Sequence, residues 1–75
     1  MVDIGKEMYT TLIQKYKSEI QEHKTSLLIY FNNSVGIGDH PSHLEDMDEL
    51  VSKMSCANDK LKMLTKMFNK TYSKL

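Results

Sequence analysis

The chain lacks tryptophan and arginine entirely, and it contains one cysteine and one proline among 75 residues. A single cysteine excludes an intrachain disulfide, and a lone thiol in a short chain is typical of a reducing compartment. Arginine is the preferred side chain for bidentate recognition of phosphates and base edges, so its absence argues against sequence-specific nucleic-acid binding. Apolar runs such as residues 27–31 are far too short to span a bilayer. The first six residues lack the apolar segment of a signal peptide. We therefore expect a cytoplasmic protein that does not enter the membrane.

The small size of the chain limits how it can be stabilised. A hydrophobic content of 40% with zero formal net charge is typical of a globular rather than a disordered chain. A domain this short buries only about 60–65% of its unfolded surface, and small scaffolds usually add a disulfide, a metal or a partner subunit. Because no disulfide is available, we expect the chain to be stabilised either by oligomerisation or by a well-packed helix–helix seam. We expect it to hold no cofactor.

Two regular ladders of apolar or half-polar residues flank the cluster of chain breakers at residues 32–42. Upstream, the steps alternate between four and three residues along Tyr9, Ile13, Tyr16, Ile20, His23, Leu27 and Tyr30. Downstream, the steps alternate between three and four along Met47, Leu50, Met54, Ala57, Leu61, Leu64, Phe68, Thr71 and Leu75. This is the a/d pattern of a coiled coil. It predicts one domain over 1–75, with a helix at about 3–33, a turn at about 34–41 and a helix at about 42–74.

A short turn forces the two helices to be antiparallel neighbours. The predicted fold is therefore an all-α, coiled-coil-like, two-helix hairpin. Ser42 and Glu45 have the spacing of a capping box at the start of the second helix, whereas Asp39 with Pro41 offers an alternative start. Reflection of the chain about the turn places Ile20 opposite Ala57, a large residue facing a small one.

Further apolar residues lie beside the two ladders. They are Met8, Leu12, Leu28, Phe31, Val51, Met63, Met67 and Tyr72. A stripe this wide is characteristic of a helix that packs against more than one neighbour. We therefore expect a dimer that forms a four-helix bundle, or a larger helical oligomer. The alternative is a monomer with a partly hydrated edge. Met47 and Met54 belong to the ladder, which leaves Met8, Met63 and Met67 as candidate partner-binding residues.

Charge is segregated between the two ends of the predicted hairpin. Residues 1–17 and 58–75 contain eight lysines and three acidic residues, a net charge of +5, and the remaining residues contain two lysines and seven acidic residues, a net charge of −5. One interpretation is a basic end that attracts phosphates and an acidic end that attracts a basic partner. The interpretation we favour is that acidic residues first and lysines last match the macrodipole of the second helix.

The residue types that carry chemistry do not form a convincing active site. Asp39, His40, His43 and Asp46 could ligate a divalent ion, but they surround a helix start, where Asp and His are ordinary turn and capping residues. Cys56 has no histidine close in the sequence that could activate its thiol. We therefore expect neither a metal site nor an enzyme.

The predicted turn carries a resemblance to a known group of proteins. Residues 28–41 read Leu-Ile-Tyr-Phe-Asn-Asn-Ser-Val-Gly-Ile-Gly-Asp-His-Pro, and residues 47–50 read Met-Asp-Glu-Leu. This pattern resembles uncharacterised small helical proteins of T-even-type tailed phages, in which such a turn joins two charged helices. The resemblance covers about half the chain. It implies a phage origin and expression in a bacterial cytoplasm, and it transfers no activity and no site residues.

The functional prediction is a non-enzymatic interaction module that binds a host or phage protein and interferes with a host process or a defence system. The predicted turn is longer than a helical hairpin needs, and its tip contains Val35, Gly36, Ile37 and Gly38. The two apolar side chains of this tip could dock into a partner or fold back over the ladder ends. One alternative is an oligomeric sponge for a nucleotide or another anion. Its candidate anion-binding residues are Lys60, Lys66 and Tyr72. Another alternative is a structural or virion accessory protein.

Overall fold

The computed structural model describes residues 2–32 and 42–72, which form two α-helices. Helix α1 spans Ile4–Asn32 and helix α2 spans Ser42–Tyr72. These bounds agree with the predicted helices to within one residue, except that residues 73–74 and the predicted turn at 34–41 lie outside the described residues. The two helices pack against each other in a molecule of 57 × 20 × 15 Å. The predicted all-α helical hairpin is confirmed.

Contacts between aromatic residues show that the helices are antiparallel. Near the chain termini, the rings of Tyr9 and Tyr72 stack with centroids 5.6 Å apart. Further along, the Lys60 ammonium group lies 5.9 Å from the centre of the Tyr16 ring. At the other end of the helices, the ring centroids of Tyr30 and His43 are 5.4 Å apart. The register is therefore the one obtained by reflecting the chain about the turn.

The ladder residues form the seam between the helices. Among the described residues, Tyr9 and Ala57 are the buried side chains, with 7% and 1% of their surface exposed. The rest of the ladder is half-buried from Ile13 to Tyr30 on α1 and from Met47 to Leu64 on α2. The most deeply buried position of the seam is thus occupied by a small residue.

The seam alone buries little surface. The chain exposes 6116 Å², whereas an unfolded chain of its mass of 8.7 kDa would expose roughly 12,600 Å². Only about half of the unfolded surface is therefore buried, against about 60–65% for a compact domain of this size. Within residues 2–32 and 42–72, the pair of helices has no third element to cover its flanks, which accounts for the deficit.

The last turn of α2 departs from the predicted ladder. Thr71 and Phe68, both assigned to the ladder, are exposed, Phe68 by 45%. Tyr72, assigned to the flank, is instead half-buried and stacked on Tyr9. The reason lies across the seam at Gly5, where an added Cβ would stand 3.1 Å from Cε1 of Tyr72. A glycine here leaves room for the tyrosine ring, which takes the place that Thr71 was expected to occupy.

The start of α1 is fixed by a capping residue that the sequence analysis did not identify. The backbone amide of Lys6 donates a hydrogen bond of 3.1 Å to Oδ1 of Asp3, and the amide of Glu7 donates one of 3.0 Å to the Asp3 carbonyl oxygen. The first bond satisfies one of the amides that a helix leaves unpaired at its N-terminus, and the second is the first regular backbone bond of the helix. Asp3 is therefore the N-cap of α1.

Candidate interaction surfaces

A polar cluster holds the helices together near the turn. The Tyr30 hydroxyl donates a hydrogen bond of 3.2 Å to Oδ2 of Asp46, and the edge of the Tyr30 ring contacts His43 at 73°. Partial desolvation, followed by the hydrogen bond with Asp46 and the negative charge of that residue, raises the pKa of the Tyr30 phenol above its ordinary value. Two of the residues considered as metal ligands thus contact Tyr30. Within 2–32 and 42–72, no group of three or more His, Cys, Asp or Glu side chains is placed to hold a metal ion.

Two neighbouring apolar grooves lie on one side of the seam, in the half of the hairpin that contains the termini. The first groove, about 240 Å³, is lined by Gly5, Met8, Tyr9, Leu12, Leu64, Phe68 and Tyr72. The second, about 420 Å³, is lined by Tyr16, Asp59, Lys60, Met63, Leu64, Met67 and Phe68. Leu64 and Phe68 belong to both grooves. The structure therefore groups Met8, Met63 and Met67, the three predicted partner-binding methionines, around a shared floor.

These methionines are exposed far more than a packed side chain would be. Met8 is 64% exposed, and Met63 and Met67 are 61% exposed each. Methionine is flexible and polarizable, and it is common at surfaces that adapt to a partner. Leu12 and Phe68 complete the apolar patch and were not predicted as binding residues. Leu12 lies four residues after Met8, and this helical spacing would have identified it as part of the same patch. Phe68 was missed because the ladder pattern assigns it to the seam between the helices.

The grooves belong to a longer surface, which we call the methionine face. It is formed by two stripes whose steps alternate between three and four residues, so that each stripe follows one side of its helix. On α1 the stripe is Gly5, Met8, Leu12, Lys15, Glu19, Glu22, Ser26 and Ile29. On α2 the stripe is Asp46, Glu49, Lys53, Cys56, Lys60, Met63, Met67 and Lys70. Towards the turn, Ser26, Asp46, Glu49 and Lys53 line one groove with Tyr30 and Leu50, which shows that the two stripes meet on the same side.

The charges of the methionine face are sorted by position along the hairpin. Its terminal half has three lysines, Lys15, Lys60 and Lys70, and one acidic residue, Asp59 of the second groove, a net charge of +2. Its turn-proximal half has four acidic residues and one lysine, a net charge of −3: Glu19, Glu22, Asp46, Glu49 and Lys53. The Lys53 ammonium group is paired with Glu49 at 3.4 Å within α2. The face is thus apolar and basic in one half and acidic in the other.

The opposite face of the hairpin has a different character. A groove of about 430 Å³ there is lined by Tyr9, Thr10, Ile13, Lys17, Leu61, Thr65 and Asn69. The sides of α1 and α2 that line this groove carry four exposed apolar residues nearer the turn. We call these four residues the turn-proximal patch. They are Leu28, Phe31, Leu44 and Val51, exposed by 47%, 60%, 72% and 48%. Leu44 is absent from the predicted flank because its position precedes the first ladder residue of α2.

The residues proposed for anion binding are spread along α2. Lys60 lies over the Tyr16 ring, and Tyr72 is stacked against Tyr9. Lys60 and Tyr72 are twelve residues apart on α2, which corresponds to about 18 Å along the helix axis. Lys66 is exposed and lines neither methionine groove. One hairpin therefore does not bring these three side chains into a single pocket.

Other predicted features fall outside the surfaces or outside the described residues. Val35, Gly36, Ile37 and Gly38, the predicted tip, lie beyond residues 2–32 and 42–72, as do Asp39 and His40. Cys56 is a free, exposed thiol near the middle of the methionine face. Neither described helix contains an apolar stretch long enough to cross a membrane.

Comparisons with protein-family models, curated proteins and solved structures found no match to this chain.

Proposed function

We propose that this protein is a non-enzymatic protein–protein interaction module: a helical hairpin that associates with a second copy and presents its remaining apolar surface to another protein. The observation that carries the proposal is the contrast between the seam and the flanks. Two side chains are buried among the described residues, while twelve large apolar residues are left exposed on the same part of the chain. Exposed apolar groups that are grouped into patches mark interaction sites, whereas scattered ones do not.

The grouping of the exposed residues supports this interpretation. Met8, Met63 and Met67 surround one shared groove floor, and the turn-proximal patch lies on the opposite face. Two separate patches suit a protein that contacts one partner on each face. Interfaces are typically enriched in methionine and aromatic residues at their centres and are bordered by charged residues. Lys60 and Lys70 border the methionines in this way.

The resemblance of the turn to small T-even phage proteins supplies the biological setting of the proposal. The partner would then be a protein of the bacterial host or of the phage itself, in the bacterial cytoplasm. Binding of this partner would interfere with a host process or a defence system. The part of this proposal that concerns association through apolar patches does not depend on the phage setting.

Three exposed positions of nearly equal accessibility allow a matched test. Phe31 is 60% exposed in the turn-proximal patch, Met67 is 61% exposed in the methionine face, and Ile4 is 64% exposed outside both. Each would be changed to serine in the full chain, and proteins retained from infected and uninfected bacterial lysates would be quantified by mass spectrometry. A captured protein would then be purified, and its affinity for each variant measured by calorimetry.

We expect the wild-type chain and the Ile4→Ser variant to bind the partner equally. The Phe31→Ser variant should bind it more than roughly fivefold more weakly, because truncation of a central apolar contact costs more than about 1 kcal/mol. A partner bound equally by all variants would contradict a patch-mediated interaction. The absence of any partner sensitive to these substitutions, in both lysates, would overturn the hetero-association part of the proposal.

A further inference from the structure

We infer that the methionine face is the contact between two copies of this chain, which pack antiparallel about a two-fold axis so that the terminal half of each hairpin covers the turn-proximal half of the other. This inference deepens the proposed function, because it assigns an occupant, an orientation and a register to one of the two apolar surfaces. It leaves the turn-proximal patch free for a different protein.

The charge distribution favours a second copy over an unrelated partner. The terminal half of the methionine face has a net charge of +2 and its turn-proximal half has a net charge of −3. A two-fold rotation perpendicular to the helices exchanges these halves and places opposite charges against each other at both ends of the contact. A surface that is complementary to itself in this way fits an isologous dimer interface.

The opposite face lacks this charge polarity. Its helical sides carry four lysines and two acidic residues in the terminal half, a net charge of +2: Asp3, Lys6, Glu7, Lys17, Lys62 and Lys66. The turn-proximal half carries Lys24 and Asp48 and is neutral. The opposite face therefore does not present halves of opposite charge, whereas the methionine face does.

Matching to the helix macrodipole does not explain the arrangement on α1. Lys15 precedes Glu19 and Glu22 along this helix, which is the reverse of the order that the macrodipole favours. Glu22 is also ten residues from Asn32, and the influence of a helix terminus falls off within its last turn. An interface between copies accounts for the charges of both helices.

The register of the α1 stripes is consistent with this packing. When two copies of α1 run antiparallel about their common midpoint, Met8 of one chain comes level with Ile29 of the other, and Lys15 comes level with Glu22. Ile29 is 56% exposed in the hairpin, as is expected of a residue that only the second copy covers. The pairing thus places an apolar residue against an apolar one and a lysine against a glutamate.

The available area fits a stable dimer. Helices of this length extend about 45 Å, and the hairpin is 20 Å wide, so one face offers about 900 Å² per copy. The two copies together would bury about 1,800 Å², within the range of stable, specific interfaces. This burial would also cover the surface that the single seam leaves exposed.

Site-directed cross-linking tests both the partner and the orientation. Two full-length chains would be prepared in a Cys56→Ser background, one with Met8→Cys and one with Ile29→Cys, and one of them would be isotopically labelled. Each chain has a single thiol, so every cross-link formed by a short bismaleimide joins two molecules. Circular dichroism would verify that both variants remain helical, and a Thr25→Cys chain, exposed outside this face, provides the control.

The inference predicts that mixing the two variants gives a cross-link between the Met8 and Ile29 positions, with at least a fivefold higher yield than either variant alone or the Thr25→Cys control. Efficient cross-linking of the Met8→Cys chain to itself would indicate a parallel dimer and overturn the inference. Equal yields at all three positions would indicate random collision and would also overturn it. Either failure would leave the hetero-partner test intact, because that test depends on Phe31 in the turn-proximal patch.

A charge swap provides an independent measurement. The Lys15→Glu, Lys60→Glu chain and the Glu22→Lys, Glu49→Lys chain should each self-associate roughly tenfold more weakly than the wild type, because like charges then face each other. A one-to-one mixture should recover wild-type affinity, since the altered charges become complementary. If the separate variants dimerise as tightly as the wild type, the face is not the interface.

Discussion

Substitution of Ala57 by leucine is the most stringent test of the seam. Ala57 is the most deeply buried residue of the described chain, with 1% of its surface exposed, and it lies in the seam between the helices. Leucine adds three carbon atoms at this point. The neighbouring ladder residues on α1 are held by their own contacts, so the helices must separate or the new side chain must adopt an unfavourable rotamer.

Two opposite results are conceivable, and their magnitudes differ enough to be told apart. If the seam is packed as described, overpacking should lower the free energy of unfolding by about 1–3 kcal/mol. If the helices could separate at no cost, burial of the added carbons at about 0.8 kcal/mol each would instead raise it by about 2 kcal/mol. For a domain of this size, 1 kcal/mol corresponds to about 4–8 °C in melting temperature. We therefore expect the melting temperature to fall by roughly 5–20 °C.

The assay is thermal unfolding followed by circular dichroism at a fixed protein concentration, because self-association shifts the apparent stability. Ser52→Leu provides the control, since Ser52 is exposed on the same helix and should change the free energy of unfolding by no more than about 0.5 kcal/mol. A melting temperature that rises for Ala57→Leu would refute the account of the seam.

Three further predictions concern the seam, the helix start and the polar cluster. Leu61→Asp should unfold the hairpin or abolish its cooperative melting, because it places an unpaired charge in a thin core; unchanged circular dichroism and melting would show that the ladder is not the core. Asp3→Ala should lower the free energy of unfolding by about 0.5–2 kcal/mol through loss of the N-cap, whereas Asp59→Ala should have little effect, and chemical denaturation would distinguish them. An ultraviolet titration should show the Tyr30 phenol ionising above the ordinary tyrosine pKa, and Asp46→Asn should lower the pKa of Tyr30. Because the folded-state pKa of Tyr30 is raised, its contribution to stability is present below the ordinary tyrosine pKa and is lost as the pH rises through the raised value.

The hairpin itself was predictable because two independent signals agreed. The alternating steps of the ladders fixed which side of each helix faces the other, and the chain breakers fixed the antiparallel connection. From Ile13 to Tyr30 and from Met47 to Leu64, the residues assigned to the ladders are those that the structure buries or half-buries. A periodic pattern is reliable over such lengths because a shift of the ladder by one residue would turn its whole apolar stripe towards solvent.

The pattern failed where a single residue on the opposite helix decides the packing. Tyr72 replaces Thr71 in the seam because Gly5 has no side chain, a condition that no periodicity within α2 can express. The hydrogen bond from Tyr30 to Asp46 likewise depends on the register across the hairpin, since 16 positions separate the two residues. Aspartate is a common N-cap residue, but Asp3 is followed three positions later by Lys6 rather than by the glutamate of a capping box. The capping-box pattern therefore did not identify it.

The candidate surface was predicted only in part. The three methionines were identified as apolar residues left over from the ladders, which indicated a partner without indicating a geometry. Their common groove depends on Leu64 and Phe68 of one helix and on Leu12 of the other, and on the register that brings these residues to one side. The charge asymmetry was visible as an end-to-end difference. That the methionine face has halves of opposite charge emerged once the stripes of both helices were placed on the same side of the seam.

Sedimentation equilibrium of the full chain, alongside a Met63→Glu variant, tests the central claim most directly. The account predicts that the wild-type protein sediments at twice the chain mass of 8.7 kDa, and that the variant sediments at the single-chain mass while remaining helical. Met63 is 61% exposed in the hairpin, so its replacement should leave the fold of one chain intact. A wild-type protein that remains at the single-chain mass up to high concentration, or a variant that dimerises as tightly as the wild type, would contradict the account.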